Sequence, residues 1–193
     1  MYRIPHILLS VLVLFLAPAF LAGAQEYGLF NSPKGVGASV RLPEKDGIFH
    51  TVNAYVDIYG VATSRCSYPG YKANISRQYV CNRFERDGFS VSFYAGPGLS
   101  VGYVRDHDKG RGFDLTSLMA DNEGVALALS GDAGFLFDFG RNVFLDLSWT
   151  AEAGIHLRRN EAEKKYNAAS LSLYNNGLLQ ALYPQLTIYF RFR

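Results

Sequence analysis

The chain has 193 residues and a formal net charge of +2, and aromatic residues make up 15% of it, with 13 Tyr and 14 Phe. A charge so close to zero gives no support for nucleic-acid binding, and the length is that of one domain behind a short targeting segment. Beyond that segment no stretch approaches the roughly 18 uninterrupted apolar residues of a spanning helix, which excludes a membrane protein built of helices.

Residues 1–24 have the pattern of a secretory signal peptide. Arg3 supplies a short positive region, Ile7–Leu16 an apolar core and Ala22-Gly23-Ala24 a small-residue cleavage site. An uncleaved anchor is the alternative, but the apolar run is short for a spanning helix. We expect export of the chain, removal of residues 1–24 and a single domain over residues 25–193.

Alternation of apolar with small or polar residues begins at residue 35, after a lead-in over residues 25–34. A period of two indicates β-strands, because successive side chains of a strand point to opposite faces. The clear strands are 35–43, 48–60, 88–105, 123–139, 142–158 and 181–193. Weaker candidates at Lys72–Val80 and Ala168–Tyr174 bring the number to eight, the smallest strand number of single-chain bacterial barrels.

Pro97 lies within the third of these clear strands, between Gly96 and Gly98. Because proline cannot donate a hydrogen bond to the neighbouring strand, we expect a bulge or kink at this point.

The longest alternation runs through residues 123–157, in two segments joined by Gly140-Arg141-Asn142. Each segment exceeds the roughly five or six residues of a usual soluble strand and the about nine to eleven that cross a bilayer at a tilt. One face is apolar and includes Phe135, Leu145 and Trp149, whereas the other carries small residues and a few carboxylates. A soluble sandwich would show a second face rich in Lys, Glu and Thr. The pattern predicts an all-β fold, an antiparallel up-and-down transmembrane β-barrel of eight strands.

Charged residues on the polar faces of the strands are candidates for a network inside the barrel. They are Arg41, Asp57, Asp132, Asp138, Asp146, Glu152, His156 and Arg191. Opposite charges can tolerate burial when they neutralise one another. Because eight strands leave an interior just wide enough for side chains, we predict a packed, ion-paired lumen that obstructs solutes.

Residues 61–87 break the alternation and are interpreted mainly as a loop. Its basic residues, interleaved with tyrosines, form a candidate anion site for lipopolysaccharide phosphates or acidic glycans, with a solvated loop as the alternative. They are Arg65, Lys72, Arg77, Arg83 and Arg86.

The same segment contains Cys66 and Cys81, an even number of cysteines in an exported chain. A bridge between them would close a loop of about fifteen residues and add about 3 kcal/mol of stability. Two free thiols are the alternative. We expect no metal site between the cysteines, because no His lies in this segment, and the triplet Asp106-His107-Asp108 is interpreted as a solvated turn, with a cation site as the alternative. No cofactor is expected.

The last strand ends in the aromatic-rich string Tyr189-Phe190-Arg191-Phe192. In this ending, together with the alternation, the chain resembles small single-domain Gram-negative outer-membrane β-barrel proteins of the OmpA or OmpX size class, with a Bacteroidota-type character. The resemblance covers most of residues 35–193; Arg193 departs from it, because the family usually ends on the aromatic residue. It implies location in the outer membrane, contact with outer-membrane lipid and lipopolysaccharide, and recognition of the C-terminal strand by the barrel assembly machinery.

A non-enzymatic structural or interaction role is the function that we predict, with loops that contact envelope glycans or lipid headgroups. One alternative is a lipid-A-modifying enzyme. Ser148, Glu152 and His156 share one face of a strand, but spacings of four place successive members about 13 Å apart, too far for direct hydrogen bonds. The other alternative is a narrow channel.

Overall fold

The computed structural model describes residues 26–32, 35–56, 69–106, 122–140, 142–160, 165–174 and 184–191. The strands in these parts are β1 (Glu26–Ser32), β2 (Gly35–Arg41), β3 (Ile48–Val56), β4 (Tyr71–Arg86), β5 (Phe89–Asp106), β6 (Asn122–Asp138), β7 (Val143–Asn160), β8 (Lys165–Tyr174) and β9 (Gln185–Arg191).

None of the described residues belongs to a helix long and apolar enough to cross a membrane.

The strands form one antiparallel sheet that closes on itself. From β1 to β7 each strand pairs with the next in sequence, and β9 pairs with both β7 and β1. β8 also pairs with β7, but along another part of it: β9 faces Val143–Ser148 and β8 faces Glu152–Asn160. β8 and β9 therefore share one of eight positions in the ring, and the predicted eight-stranded antiparallel barrel is confirmed.

The set of strands differs from the predicted set at three places. The predicted lead-in contains β1, which pairs with β2 and β9. β1 was missed because it is short and because Phe30 points inward, at 5% exposure, so that apolar residues occupy both faces. The candidate strand Lys72–Val80 is confirmed as part of β4, which runs from Tyr71 to Arg86 and takes in most of the predicted loop. The candidate strands 168–174 and 181–193 contribute to one ring position instead of two.

The two ends of the barrel differ in the length of their connections. One end, here called the short-turn end, holds the connections β2–β3, β4–β5 and β6–β7, of six, two and four residues, with the start of β1 and the end of β9. At the opposite end, the long-connection end, 14 residues separate β3 from β4 and 15 separate β5 from β6, and shorter connections of two and four residues join β1 to β2 and β7 to β8.

The hydrogen-bonded pairs climb around the barrel in a fixed stagger. In order they are Val143–Phe190, Phe190–Tyr27, Tyr27–Val40, Val40–Val52, Val52–Ile75, Ile75–Leu99, Leu99–Leu129 and Leu129–Ala153. The path returns to β7 at residue 153, ten residues beyond its start and nearer to the long-connection end. A stagger of about 33 Å over eight strands spaced about 4.8 Å apart requires a strand tilt of about 40°.

Polar side chains face the inside of the barrel and apolar side chains face out. Leu29, Phe84 and Leu129 are 66%, 61% and 71% exposed. The buried inward residues include Ser39, Thr51, Asn74, Ser76, Gln78, Ser92, Ser100, Ser130 and Thr187. This distribution is the reverse of that in a water-soluble domain, whose buried positions are mostly apolar.

The outward direction predicted for Phe135, Leu145 and Trp149 is confirmed. Phe135 is 38% exposed, and Leu145 and Trp149 alternate with the buried Phe144, Asp146 and Ser148 of β7. The apolar face of the central hairpin is thus the outer surface of the barrel.

The expected bulge at Pro97 is wrong. Pairing of β4 with β5 skips Gly96 and Pro97 and then resumes in the same register, while β5 and β6 stay paired through Pro97. The register shift lies in β4, between Val80 and Asn82. Gly96 allows the close approach here, because a Cβ atom on it would lie 1.9 Å from the carbonyl oxygen of Arg77.

We therefore expect Gly96→Ala to destabilise the folded barrel by about 1–3 kcal/mol, the usual cost of an overpacked site. Gly131→Ala, on the adjoining strand, is the matched control, because a Cβ atom there meets nothing within 4 Å. The measurement is the temperature at which the compact band converts to the unfolded band on electrophoresis. Equal conversion temperatures for the two variants would contradict the close approach at Gly96.

Candidate functional site

A chain of ion pairs crosses the short-turn end of the barrel. Arg191 of β9 donates to Asp138 of β6 at 3.0 Å and to Glu26 of β1 at 2.8 Å. Glu26 also accepts a bond from Arg41 of β2, at 2.7 Å. Glu26 and Arg41 are 7% and 3% exposed, so this part of the chain lies inside the wall. These bonds join the first strand of the ring to the last.

The ion pairs continue into the turn that follows β2. Arg41 lies 3.7 Å from Glu44, and Glu44 pairs with Arg83 of β4. The side-chain charges alternate in sign along the whole series. We call this series the rim ion chain: Asp138, Arg191, Glu26, Arg41, Glu44 and Arg83. Among the predicted lumen residues, Arg41, Asp138 and Arg191 meet here. Glu26 and Glu44 were missed, because one lies in the predicted lead-in and the other in a predicted turn.

An aromatic cluster fills the bore next to the rim ion chain. It consists of Phe49, Tyr94, Leu136, Phe144 and Tyr189, all buried. The rings of Phe144 and Tyr189 stack at 5.0 Å, and those of Phe49 and Tyr94 meet edge to face at 5.1 Å. The Arg41 guanidinium lies 4.1 Å from the centre of the Phe49 ring. We call these five residues the aromatic plug. They were not predicted, because small and ionic residues were expected inside the barrel.

Beyond the plug the lumen is lined by hydrogen-bonded polar groups. The Tyr94 hydroxyl donates to both carboxylate oxygens of Asp146, at 2.8 and 2.9 Å. Gln78 donates to Asp132 at 3.1 Å. A cavity of about 10 Å³ at this level, lined in part by Thr51 and Ser148, has room for about one water molecule.

The third buried carboxylate, Glu152, lies further towards the long-connection end. It accepts a bond from Ser100 at 2.6 Å and forms an ion pair with Lys72. Asp132, Asp146 and Glu152 are all buried, at 8%, 5% and 4% exposure, so the structure places these predicted lumen acids inside. His156 lies in β7, but its side chain, like Asp57, falls outside the described part of the chain.

The candidate anion site does not form one surface. Residues 71–86 are strand β4, along which Lys72 and Arg86 are roughly 45 Å apart at the usual rise per residue. Lys72 faces the lumen, Arg77 faces out beside Tyr79, and Arg83 belongs to the rim ion chain. Arg65 lies outside the described residues.

The predicted disulfide is not supported. Cys81 is an exposed free thiol at the bulge of β4. Cys66 lies outside the described residues.

The serine and acid considered for catalysis lie inside the barrel. Ser148 is 8% exposed, and Glu152 is engaged by Ser100 and Lys72. Within the described ranges, no group of three or more His, Cys, Asp or Glu side chains is placed to hold a metal ion.

Glu26 connects β2 to β9, and its replacement is expected to weaken ring closure. Glu26→Gln removes the carboxylate that faces the buried Arg41, and breaking a buried ion pair in this way costs about 3 kcal/mol. Urea unfolding of the refolded protein measures the change. Glu85→Gln is the control, because the Glu85 side chain is 69% exposed and lies 3.9 Å from Arg83; it should cost under about 1 kcal/mol. Similar losses in the two variants would contradict a closing role for Glu26.

No protein-family model matches the sequence, and no curated protein matches it. Among solved structures, the chain is similar to the N-terminal β-barrel domain of Pseudomonas aeruginosa OprF, at 13% identity over 88% of this chain and 97% of that one, with a TM-score of 0.49. It is also similar to Neisserial surface protein A (NspA), at 13% identity over 88% of this chain and 94% of that one, with a TM-score of 0.37. The eight-position ring described above is established by the strand pairing of this chain itself.

Proposed function

We propose that the protein is an outer-membrane β-barrel with a structural or interaction role and a lumen filled by side chains. The observation that carries the proposal is the reversed polarity of the closed ring. Leu29 and Leu129 lie on the outside, while Asp132, Asp146 and Glu152 are buried inside. Lipid is the surrounding in which such an outer surface is stable, and a closed barrel leaves no unpaired strand edge in it.

Strand length and the distribution of aromatic rings support the same environment. β4 to β7 have 16 to 18 residues, more than the about nine to eleven that a spanning strand needs. Among the described residues, six of the seven large exposed rings lie on the outer surface towards the short-turn end, as in an interfacial aromatic girdle, and Tyr71 lies at the other end. The six are Tyr79, Phe84, Phe93, Phe135, Phe139 and Phe190.

In this proposal the short-turn end faces the periplasm and the long-connection end faces outward, because outer-membrane barrels have short periplasmic turns and longer external loops. The long connections then contact lipopolysaccharide, envelope glycans or lipid headgroups. The barrel assembly machinery recognises the C-terminal strand, in which Ile188 and Phe190 point outward at 40% and 41% exposure. Signal-peptide cleavage and the Bacteroidota-type character stay predictions.

The side chains inside the barrel argue against the two alternatives, a lipid-A-modifying enzyme and a narrow channel. Ser148 and Glu152 face a closed interior that the acyl chain or headgroup of a membrane lipid does not reach, so lipid-A chemistry has no support from them. A channel would need a continuous path, whereas the aromatic plug fills the bore near the short-turn end and the cavity described beside it has a volume of only about 10 Å³.

Leu129→Arg tests the membrane environment of the outer surface. Leu129 is 71% exposed, and an arginine there should lower the stability of the barrel in phospholipid vesicles by about 2–4 kcal/mol, the cost near the middle of a bilayer. Urea titration in vesicles measures the change, and Leu129→Ala corrects for loss of the leucine. In a water-soluble protein, a change at such an exposed position stays within about 0.5 kcal/mol, and that result would contradict the proposal. A detergent-extracted band that migrates alike before and after boiling would also contradict it.

In planar bilayers we expect the folded protein to produce no stable conductance steps. The reason is that the aromatic plug and the rim ion chain close the bore at the short-turn end. Single-channel recording over a range of voltages checks this, with a solvent-only injection as the blank. Steady, step-like currents that scale with protein concentration would favour the channel alternative.

A further inference from the structure

Arg77 is a cation on the apolar outer surface of the barrel. It is exposed on β4 between Ile75 and Tyr79, which are 44% and 41% exposed. Its guanidinium lies 5.4 Å from the centre of the Tyr79 ring. Within the described part of the chain no carboxylate pairs with it, although Arg41, Arg83 and Arg191 all have acidic partners there. Arg77 is therefore open to an anion from outside the chain.

A second basic side chain lies beside Arg77. His50 of β3 is its partner in the strand register and is also exposed. His50 is two residues, about 7 Å, from the first residue of β3, so the pair lies near the rim at the short-turn end. Near an interface an outward arginine costs only about 0–1 kcal/mol, and its planar fork matches the oxygen atoms of a phosphate.

A row of small, exposed residues, here called the groove, leads away from this pair. The register places Pro97 of β5 opposite Arg77, and Pro97 continues to Gly131 of β6 and Ala151 of β7. All three are exposed, and a Cβ atom on Gly131 would meet open space. On the side towards the long-connection end, Leu99 and Leu129 border the groove, at 49% and 71% exposure.

The groove slants from the rim into the apolar band, at about 40° to the membrane plane, because the row is perpendicular to strands that tilt by about 40°. Hydrogen-bonded rows climb towards the long-connection end from β4 to β7, so the groove starts near the rim at Arg77 and rises into the apolar band of the surface. Three strand spacings of about 4.8 Å make it about 14 Å long, enough for most of an acyl chain.

We propose that Arg77 and His50 bind the phosphate of a glycerophospholipid in the leaflet at the short-turn end, with one acyl chain in the groove over Pro97, Gly131 and Ala151. Charge complementarity selects a phosphate, and the apolar groove selects a lipid over a soluble anion. The site rests on the proposed membrane location. The ligand is a phospholipid and not lipopolysaccharide, because lipopolysaccharide would lie in the leaflet at the long-connection end.

The test is native mass spectrometry of the full mature chain in mild detergent, titrated with dilauroylphosphatidylglycerol. The wild type should retain one lipid, and Arg77→Gln should weaken its retention about tenfold, which corresponds to about 1.4 kcal/mol. Gly131→Leu, which fills the groove without touching the phosphate site, should also weaken it. Arg86→Gln is the matched control, because Arg86 is an exposed arginine of the same strand next to the β4–β5 turn and should leave retention unchanged. Dilauroylglycerol and inorganic phosphate, each alone, should bind at least tenfold more weakly than the phospholipid.

Heat-modifiable migration is recorded first for each variant. If the wild type shows no heat-modifiable migration, that result contradicts both the membrane location and this site. If the wild type shows heat-modifiable migration but retains the lipid no better than Arg77→Gln does, only the lipid site is overturned. Equal loss in Arg77→Gln and Arg86→Gln would also overturn the site, because it would indicate unspecific charge attraction. So would inorganic phosphate binding as tightly as the lipid.

Discussion

Pairing between β1 and β9 turns a sheet into a ring, and the other features of the structure depend on that pairing. An open sheet of this kind would leave two strand edges with unpaired N–H and C=O groups, which lipid cannot satisfy. Closure with a stagger of ten residues also determines how narrow the bore is. The narrow bore in turn explains why the inward residues are either small or in contact with one another.

The rim ion chain shows how such a bore accommodates charge. Each buried or half-buried ion at the short-turn end has a neighbour of opposite sign, and Glu26 has one on each side. Further inside, Asp146 and Asp132 accept hydrogen bonds from donors that carry no formal charge, the Tyr94 hydroxyl and the Gln78 amide. Polar side chains thus do inside this barrel what apolar packing does in a water-soluble core: they fill space and hold opposite walls together.

The fold could be predicted from the sequence where strands are long and alternate cleanly. β5, β6 and β7 meet that condition, and so the outward direction of Phe135 and the burial of Asp132 and Asp146 follow from a period of two. Short β1 has apolar residues on both faces. Its Phe30 points inward and packs edge to face against Tyr55, with the ring centres 6.2 Å apart. Local alternation carries no information on such contacts between distant segments.

The interior was only partly predictable for a related reason. Acids on polar faces could be identified, but their partners depend on register and closure: Glu152 meets Lys72, the first residue of a weakly predicted strand whose register could not be read. The aromatic plug could not be anticipated from a rule that places small residues inside, because its four rings and its leucine come from five different strands, β3, β5, β6, β7 and β9. A pattern within one strand indicates which way a side chain points, whereas its neighbours are set by the whole ring.

The extra residue at Cys81 changes the phase of β4. Before it Asn74, Ser76 and Gln78 face inward, and after it the inward positions have odd numbers, so that Arg83 reaches Ser92 and Phe84 faces out. One unpaired residue therefore exchanges the inward and outward positions along the rest of the strand. Regular pairing through Cys81, without the bulge, would turn Phe84 into the bore and Arg83 towards the hydrocarbon, so side-chain directions in the last part of β4 depend on where the strand leaves one residue unpaired.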